Sequence, residues 1–167
     1  MGDPRRLKKK YTKPKVKFEQ SRILEEKKIL QKYGLKNKKE IWKAEYGVTR
    51  IRKLAKKLLT VSEEEQNKFL ERLSKQGLIQ AKSVDDVLEL KIENILDRRL
   101  QTIVANKFKI PLRQSRQAIV HGHVKVSGRK VNIPSFMVNL ELEKTVEFLG
   151  KNIIKPKKKE QQKVKEE

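Results

Sequence analysis

The spacing of apolar residues changes twice within residues 98–137, RRLQTIVANKFKIPLRQSRQAIVHGHVKVSGRKVNIPSFM, and this restricts the segment to two short helices followed by a hairpin. Leu100, Ile103 and Val104 recur at helical spacing and leave Arg98, Arg99, Gln101 and Asn106 to other faces. Pro111 interrupts the pattern and presets the start of a second helix. There Leu112, Ser115, Ala118 and Ile119 face inward, and Arg113, Arg116 and Gln117 point away from the core. Gly122 ends this helix. Val124 and Val126 then alternate with His123 and Lys125, Ser127 and Gly128 form a two-residue turn, and Arg129, Lys130 and Val131 return.

The residue types on the polar faces suit folded RNA. Arginine binds phosphate bidentately and stacks on exposed bases, while glutamine and histidine hydrogen-bond base edges or 2′-hydroxyls. A glycine such as Gly122 lets the backbone approach a ligand closely. Only 5% of the chain is aromatic, and the segment contains just Phe108 and Phe136, so an aromatic stacking sheet is not expected.

Charge points the same way. The 167 residues hold 43 Lys and Arg against 21 Asp and Glu, a net charge of +22. With 36% hydrophobic and 38% charged residues the core must be thin, and self-repulsion leaves the chain to gain stability from a polyanion. A membrane fits less well than nucleic acid. No apolar run approaches the roughly 20 residues of a spanning helix, no signal-peptide core follows the basic N-terminus, and Arg6 stands where an N-myristoylation motif wants Ser or Thr. Cysteine is absent, which excludes disulfides, thiol catalysis and thiolate zinc sites. His121 and His123 are the only histidines and have no carboxylate nearby in sequence, so neither a metal site nor general-base catalysis is expected. Isolated glycines at 34, 47, 77 and 122 form no phosphate-binding loop, which argues against an NTPase. No cofactor is expected.

Outside the module, residues 1–18 read as an extended basic arm bearing Arg5, Arg6, Lys8, Lys9 and Lys10. Residues 19–97 read as a helical domain. Its first helix starts with Ser21 as N-cap, turns Ile23, Leu24 and Leu30 inward, and stops at Gly34. A second starts at Asn37 with Glu40 completing a capping box, and Gly47 kinks or divides it. Beyond Gly47, Ile51, Leu54, Ala55, Leu58 and Leu59 form an apolar stripe opposite Arg50, Arg52, Lys53, Lys56 and Lys57. No acidic residue interleaves with those cations between positions 48 and 60, so phosphate contact is their expected role. Ser62 and Glu65 make another capping box before a helix carrying Phe69, Leu70 and Leu73 and ended by Gly77. Ser83, Asp85 and Asp86 open a short helical turn leading to Ile92, Ile95 and Leu96. The acidic residues gathered between positions 62 and 97 suggest a side turned away from a polyanion or toward a protein neighbour. Residues 98–154 are the RNA-binding module, whose end at 141–143 and 145–149 reads as strand, and residues 155–167 as a disordered tail. The fold class is α+β: a helical region, then two helices on a short, mostly antiparallel sheet.

RRLQTIV, RQSRQAIVHGHVKVSG and PSFMV resemble the small RNA-binding domain named after ribosomal protein S-four. That domain also occurs in pseudouridine synthases, some tRNA synthetases and a heat-shock protein that handles stalled large subunits. MGDPRRLKKKY, KYGLKNKKEIWKAE, RIRKLAKKLL and DDVLELKIENILDRRLQTIV extend the resemblance, from position 1 to about 149, to the archaeal and eukaryotic branch of the small-subunit S-four family itself. The resemblance implies a cytoplasmic, non-enzymatic constituent of the small ribosomal subunit. Such a protein binds the five-prime domain of small-subunit rRNA early in assembly, sits among other ribosomal proteins near the messenger entry path, and supports decoding accuracy. It implies no homo-oligomer. RNA contacts are implied at Arg98, Arg99, Gln101, Arg113, Arg116, Gln117, His121, Gly122, His123 and Lys125, with Arg129 and Lys130 beside them. Ser115 stands where alanine is usual in the family and Phe136 where tyrosine is usual, and the zinc knot of some bacterial members cannot form without cysteine. The rival reading is a small-subunit processome component that chaperones precursor rRNA. An RNA-modifying enzyme is disfavoured, because residues 1–97 are too few for the larger catalytic domain such enzymes need.

Overall fold

The computed structural model describes residues 9–81 and 83–149. Arg5, Arg6 and Lys8 of the expected arm, the last residues of the expected module at 150–154 and the expected tail at 155–167 lie outside the described residues. The described chain is α+β, with helices preceding a three-stranded antiparallel sheet.

Residues 9–18 carry neither helix nor strand but lie against the first two helices. Tyr11 stacks on Trp42 with ring centroids 6.5 Å apart, and the Arg22 guanidinium donates to the carbonyl oxygens of Val16 (2.6 Å) and Lys17 (3.3 Å). Helix α1 (Gln20–Tyr33) is capped by Glu19 and not by Ser21, which lies inside the first turn. Its inward face runs through Glu26, Ile29, Leu30 and Tyr33, and Leu24 is exposed. Glu26 can be buried because it accepts a 3.0 Å bond from Trp42 Nε1 and pairs with Lys38 at 3.1 Å.

Helix α2 (Lys38–Leu58) starts where Asn37 Oδ1 accepts from Lys39 N, and it runs through Gly47 without a break. The glycine serves close packing: a Cβ there would lie 3.1 Å from Ile95 Cδ1 of α4 (Ile92–Asp97). The apolar stripe is narrower than the spacing suggests, comprising Val48, Ile51, Ala55 and Leu58, with Leu54 and Leu59 left exposed. On a 3.6 period Leu54 falls past the edge of the buried face, whereas Leu59 is the C-cap and lies beyond the last helical residue.

Helix α3 (Glu63–Gln76) has Ser62 at its N-cap, but the serine side chain makes no capping bond; backbone bonds from Glu65 N and Gln66 N to Ser62 O serve instead. The reciprocal box forms further on, where Asp86 Oδ2 accepts from Ser83 N and Ser83 Oγ accepts from Asp86 N, starting a 3-10 turn (Asp86–Glu89). Val48, Ala55, Phe69, Leu73, Leu78, Val84, Val87 and Leu90 form the core of this region.

Helices α5 (Leu100–Phe108) and α6 (Leu112–Val120) pack on strands β1 (Val124–Val126), β2 (Arg129–Lys130) and β3 (Val146–Phe148), in the order β2-β1-β3. The module's own core contains Leu100, Ile103, Val104, Ile119, Val124, Val126, Val138 and Val146. Ser127 and Gly128, with φ of 49° and 76°, make the primed turn that a two-residue hairpin requires. Residues 141–143, expected as strand, belong instead to helix α7 (Leu140–Lys144). Lys107 Nζ donates to the carbonyl oxygens of Glu143 (3.1 Å), Lys144 (3.3 Å) and Val146 (2.9 Å) at the end of that helix, a long-range contact that no local pattern encodes.

Candidate nucleic-acid interface

The expected RNA-contact positions separate into an outward set and an inward set. Helix α6 shows Arg113 and Gln117 to solvent and ends at His121. Gly122, at φ 74°, turns the chain through a Schellman motif, with Gly122 N donating to Ile119 O and His123 N to Ala118 O, both at 2.9 Å. This motif delivers His123 and Lys125, both half-buried, into the hairpin that carries the exposed Arg129 and Lys130. The two imidazole rings lie 6.3 Å apart. Lys125 is in register with Lys130 on one side and with Glu147 on the other. Like charges directly opposite on neighbouring strands destabilise a sheet, and an anion lying across them relieves the repulsion.

Arg98, Arg99, Gln101 and Arg116 have partners inside the chain. Arg98 donates to Val138 O from Nε (3.2 Å) and Nη2 (2.9 Å), and pairs with Glu143 at 2.8 Å. Gln101, only 1% exposed, donates from Nε2 to Gly34 O and Leu112 O at 3.1 Å and to Tyr33 O at 3.4 Å. Arg99 is 5% exposed and donates to Glu40 Oε2 at 2.7 Å. Arg116 donates to Glu40 Oε1 at 2.9 Å, and its other nitrogen reaches Gln101 Oε1 at 3.4 Å. These four therefore differ from the free base and phosphate readers that their residue types suggest. Helical spacing shows that Arg98, Arg99 and Gln101 leave the face of Leu100 and Ile103, but not that Arg99 and Gln101 meet α2 and the end of α1 or that Arg98 meets Val138 and Glu143.

Glu40 is the residue missed by reading locally. In sequence it completes a capping box; in the fold it leaves its own helix start and accepts from two arginines 59 and 76 positions away. Burial alone would raise its pKa, but hydrogen bonds from Arg116 and Arg99 and their positive charge outweigh this and hold it below the usual carboxylate range. Ser115 Oγ, fully buried, donates to Gln101 O at 2.8 Å, so this buried hydroxyl is satisfied.

The second outward set lies on α2. Arg50, Arg52, Lys53, Lys56 and Lys57 are all exposed. Arg52 donates to Leu90 O at 2.8 Å, whereas among the described residues no ion pair engages Arg50, Lys53, Lys56 or Lys57. Lys9 and Lys10 are likewise exposed. Among the described residues no group of His, Asp and Glu could hold a metal ion, and no helix is long and apolar enough to cross a membrane.

Two small helices on a hairpin-based sheet, with cations gathered at the second helix and the hairpin, define a small RNA-binding module, and residues 98–143 match the S4 domain family. The similarity extends well beyond it. The chain is 46% identical over 157 residues to the small ribosomal subunit protein uS4 of Thermoplasma acidophilum, covering 89% of this chain and 79% of the relative. It is 42% identical over 156 residues to uS4 of Methanococcus aeolicus, covering 89% and 88%, and 39% identical over 154 residues to uS4 of Methanothermobacter thermautotrophicus, covering 89% and 90%. The chain belongs to the uS4 family of small ribosomal subunit proteins.

Proposed function

We propose that this chain is a non-enzymatic constituent of the small ribosomal subunit in the cytoplasm, that it binds the five-prime domain of small-subunit rRNA directly and early in assembly, and that it supports decoding accuracy beside neighbouring ribosomal proteins near the messenger entry path. Membership in the uS4 family supports the ribosomal role, and the S4 domain supports RNA as the ligand. The observation that carries direct RNA binding is the set of exposed cations on α2 that have no ion pair among the described residues, together with the Lys125–Lys130 pair across the hairpin. Arg113, Gln117, His121, Gly122, His123, Lys125, Arg129 and Lys130 form one proposed contact surface. Arg50, Lys53, Lys56 and Lys57 form another, and Lys9 and Lys10 extend it along the arm. Arg98, Arg99, Gln101 and Arg116 support these surfaces from within.

The test is binding of the purified chain to a transcript of the five-prime domain across a salt series. We expect preference over an unrelated structured RNA of equal length and a steep fall in affinity with salt. Lys56→Ala should lower the salt slope by about one, and Arg113→Ala should weaken binding by about 1–3 kcal/mol if its guanidinium reads a base. Equal affinity for the two RNAs would overturn the assignment to this domain. A processome chaperone would sediment only with pre-ribosomal particles, whereas the ribosomal protein is expected in translating subunits.

A further inference from the structure

The two proposed RNA surfaces lie on different parts of the chain, and one carboxylate at the start of α2 bonds directly to the module that carries the other surface. Glu40 stands in the first turn of α2, and the exposed cations Arg50, Lys53, Lys56 and Lys57 lie 10 to 17 residues further along the same unbroken helix. At 1.5 Å per residue the separation is roughly 15–26 Å along a stiff rod. At the near end, Glu40 Oε2 accepts from Arg99 at 2.7 Å and Oε1 from Arg116 at 2.9 Å, so both oxygens are taken by the module. Arg99 precedes α5, and Arg116 lies on α6 one turn from Arg113 and adjacent to Gln117. Side-chain exposures of 18% for Glu40 and 6% for Arg99 keep water from competing for the first of these bonds. One carboxylate between two guanidiniums leaves the cluster with a net positive charge. An approaching phosphate is therefore attracted to it and has no need to displace the glutamate.

We propose that Glu40 is a positioning residue for RNA binding: by holding Arg99 and Arg116 it fixes α6 and the hairpin relative to the basic face of α2, so that both surfaces engage one folded RNA as a rigid pair. The gain is one of effective concentration. Once one surface is bound, the other is already in place, and releasing the clamp makes the second contact pay its own ordering cost. This inference rests on the RNA-binding reading above.

The test compares wild type, Glu40→Gln and the paired replacement Glu40→Gln with Arg99→Met, which keeps the net charge unchanged and leaves only the more exposed Arg116, at 25%, without its carboxylate. Each is titrated with the five-prime-domain transcript over a salt series, at a temperature where circular dichroism shows all three folded. We expect affinity at low salt to fall about tenfold or more in both variants. We also expect the salt slope to become shallower, because the phosphates of one surface are no longer held. A merely structural role for Glu40 would reduce affinity through the folded fraction alone and leave the slope at its wild-type value, and that outcome overturns the proposal. Unchanged affinity and slope in the paired variant overturn it too, while leaving RNA binding intact. Absence of wild-type binding to the transcript would instead overturn the RNA-binding reading on which the proposal stands.

Discussion

Glu40 is held anionic by two arginines, and this makes stability depend on pH in a defined direction. Its pKa is lowered in the folded chain, so the unfolded chain binds the proton more readily and stability rises with pH through that range. The contribution is complete above the ordinary carboxylate pKa of about 4.3 and is lost as pH falls through the lower folded value. Glu26, lowered by Trp42 and Lys38 against the opposing effect of burial, acts in the same sense. Urea midpoints measured between neutral and strongly acidic pH should therefore fall less in Glu40→Gln than in wild type, and parallel curves would count against the clamp. At neutral pH the same substitution should cost about 3 kcal/mol, the lower end for removing one partner of a buried pair. Ser115→Ala is expected to cost only about 1 kcal/mol, the net value of one satisfied hydrogen bond, by chemical denaturation.

Two helix ends make opposite predictions. Gly34 closes α1 at φ 57°, and a Cβ there would lie 2.9 Å from Leu112 Cβ, so Gly34→Ala combines a strained backbone with a clash against α6. A loss of more than about 1 kcal/mol in denaturation experiments is expected. Lys109 closes α5 at φ 53° without being glycine. Lys109→Gly removes that strain and should stabilise by up to about 1 kcal/mol, and a lower melting temperature would contradict this account. Most helices were legible as sequence: the stops at Gly34, Gly77 and Gly122, the cap at Asn37, the start after Pro111 and the Ser127-Gly128 turn all follow from backbone preferences a few residues wide. What was misread was long-range. Residues 141–143 alternate like a strand, but their acidic first turn and the Lys107 ammonium at the far end settle them as helix. Gly47 looks like a breaker until Ile95 is seen packed over it.

Across the molecule, a chain with net charge +22 divides its cations between those that hold the fold and those left for a ligand. Addition of the five-prime-domain transcript should raise the melting temperature, and raising salt should abolish the gain, because the ligand binds only the folded state through ion release. A salt-independent shift would point to contacts other than phosphate. The α+β class and the family resemblance were available from residue order, because periodicity and turn chemistry are local properties. Which arginines face outward was not. Arg113 and Arg116 are one helical turn apart and alike in sequence, yet Arg113 is exposed and Arg116 meets Glu40. Only the packing of α2 against the module distinguishes them, since the carboxylate that pairs with the half-buried Arg116 is brought from elsewhere in the chain, and its identity is a fact of tertiary structure.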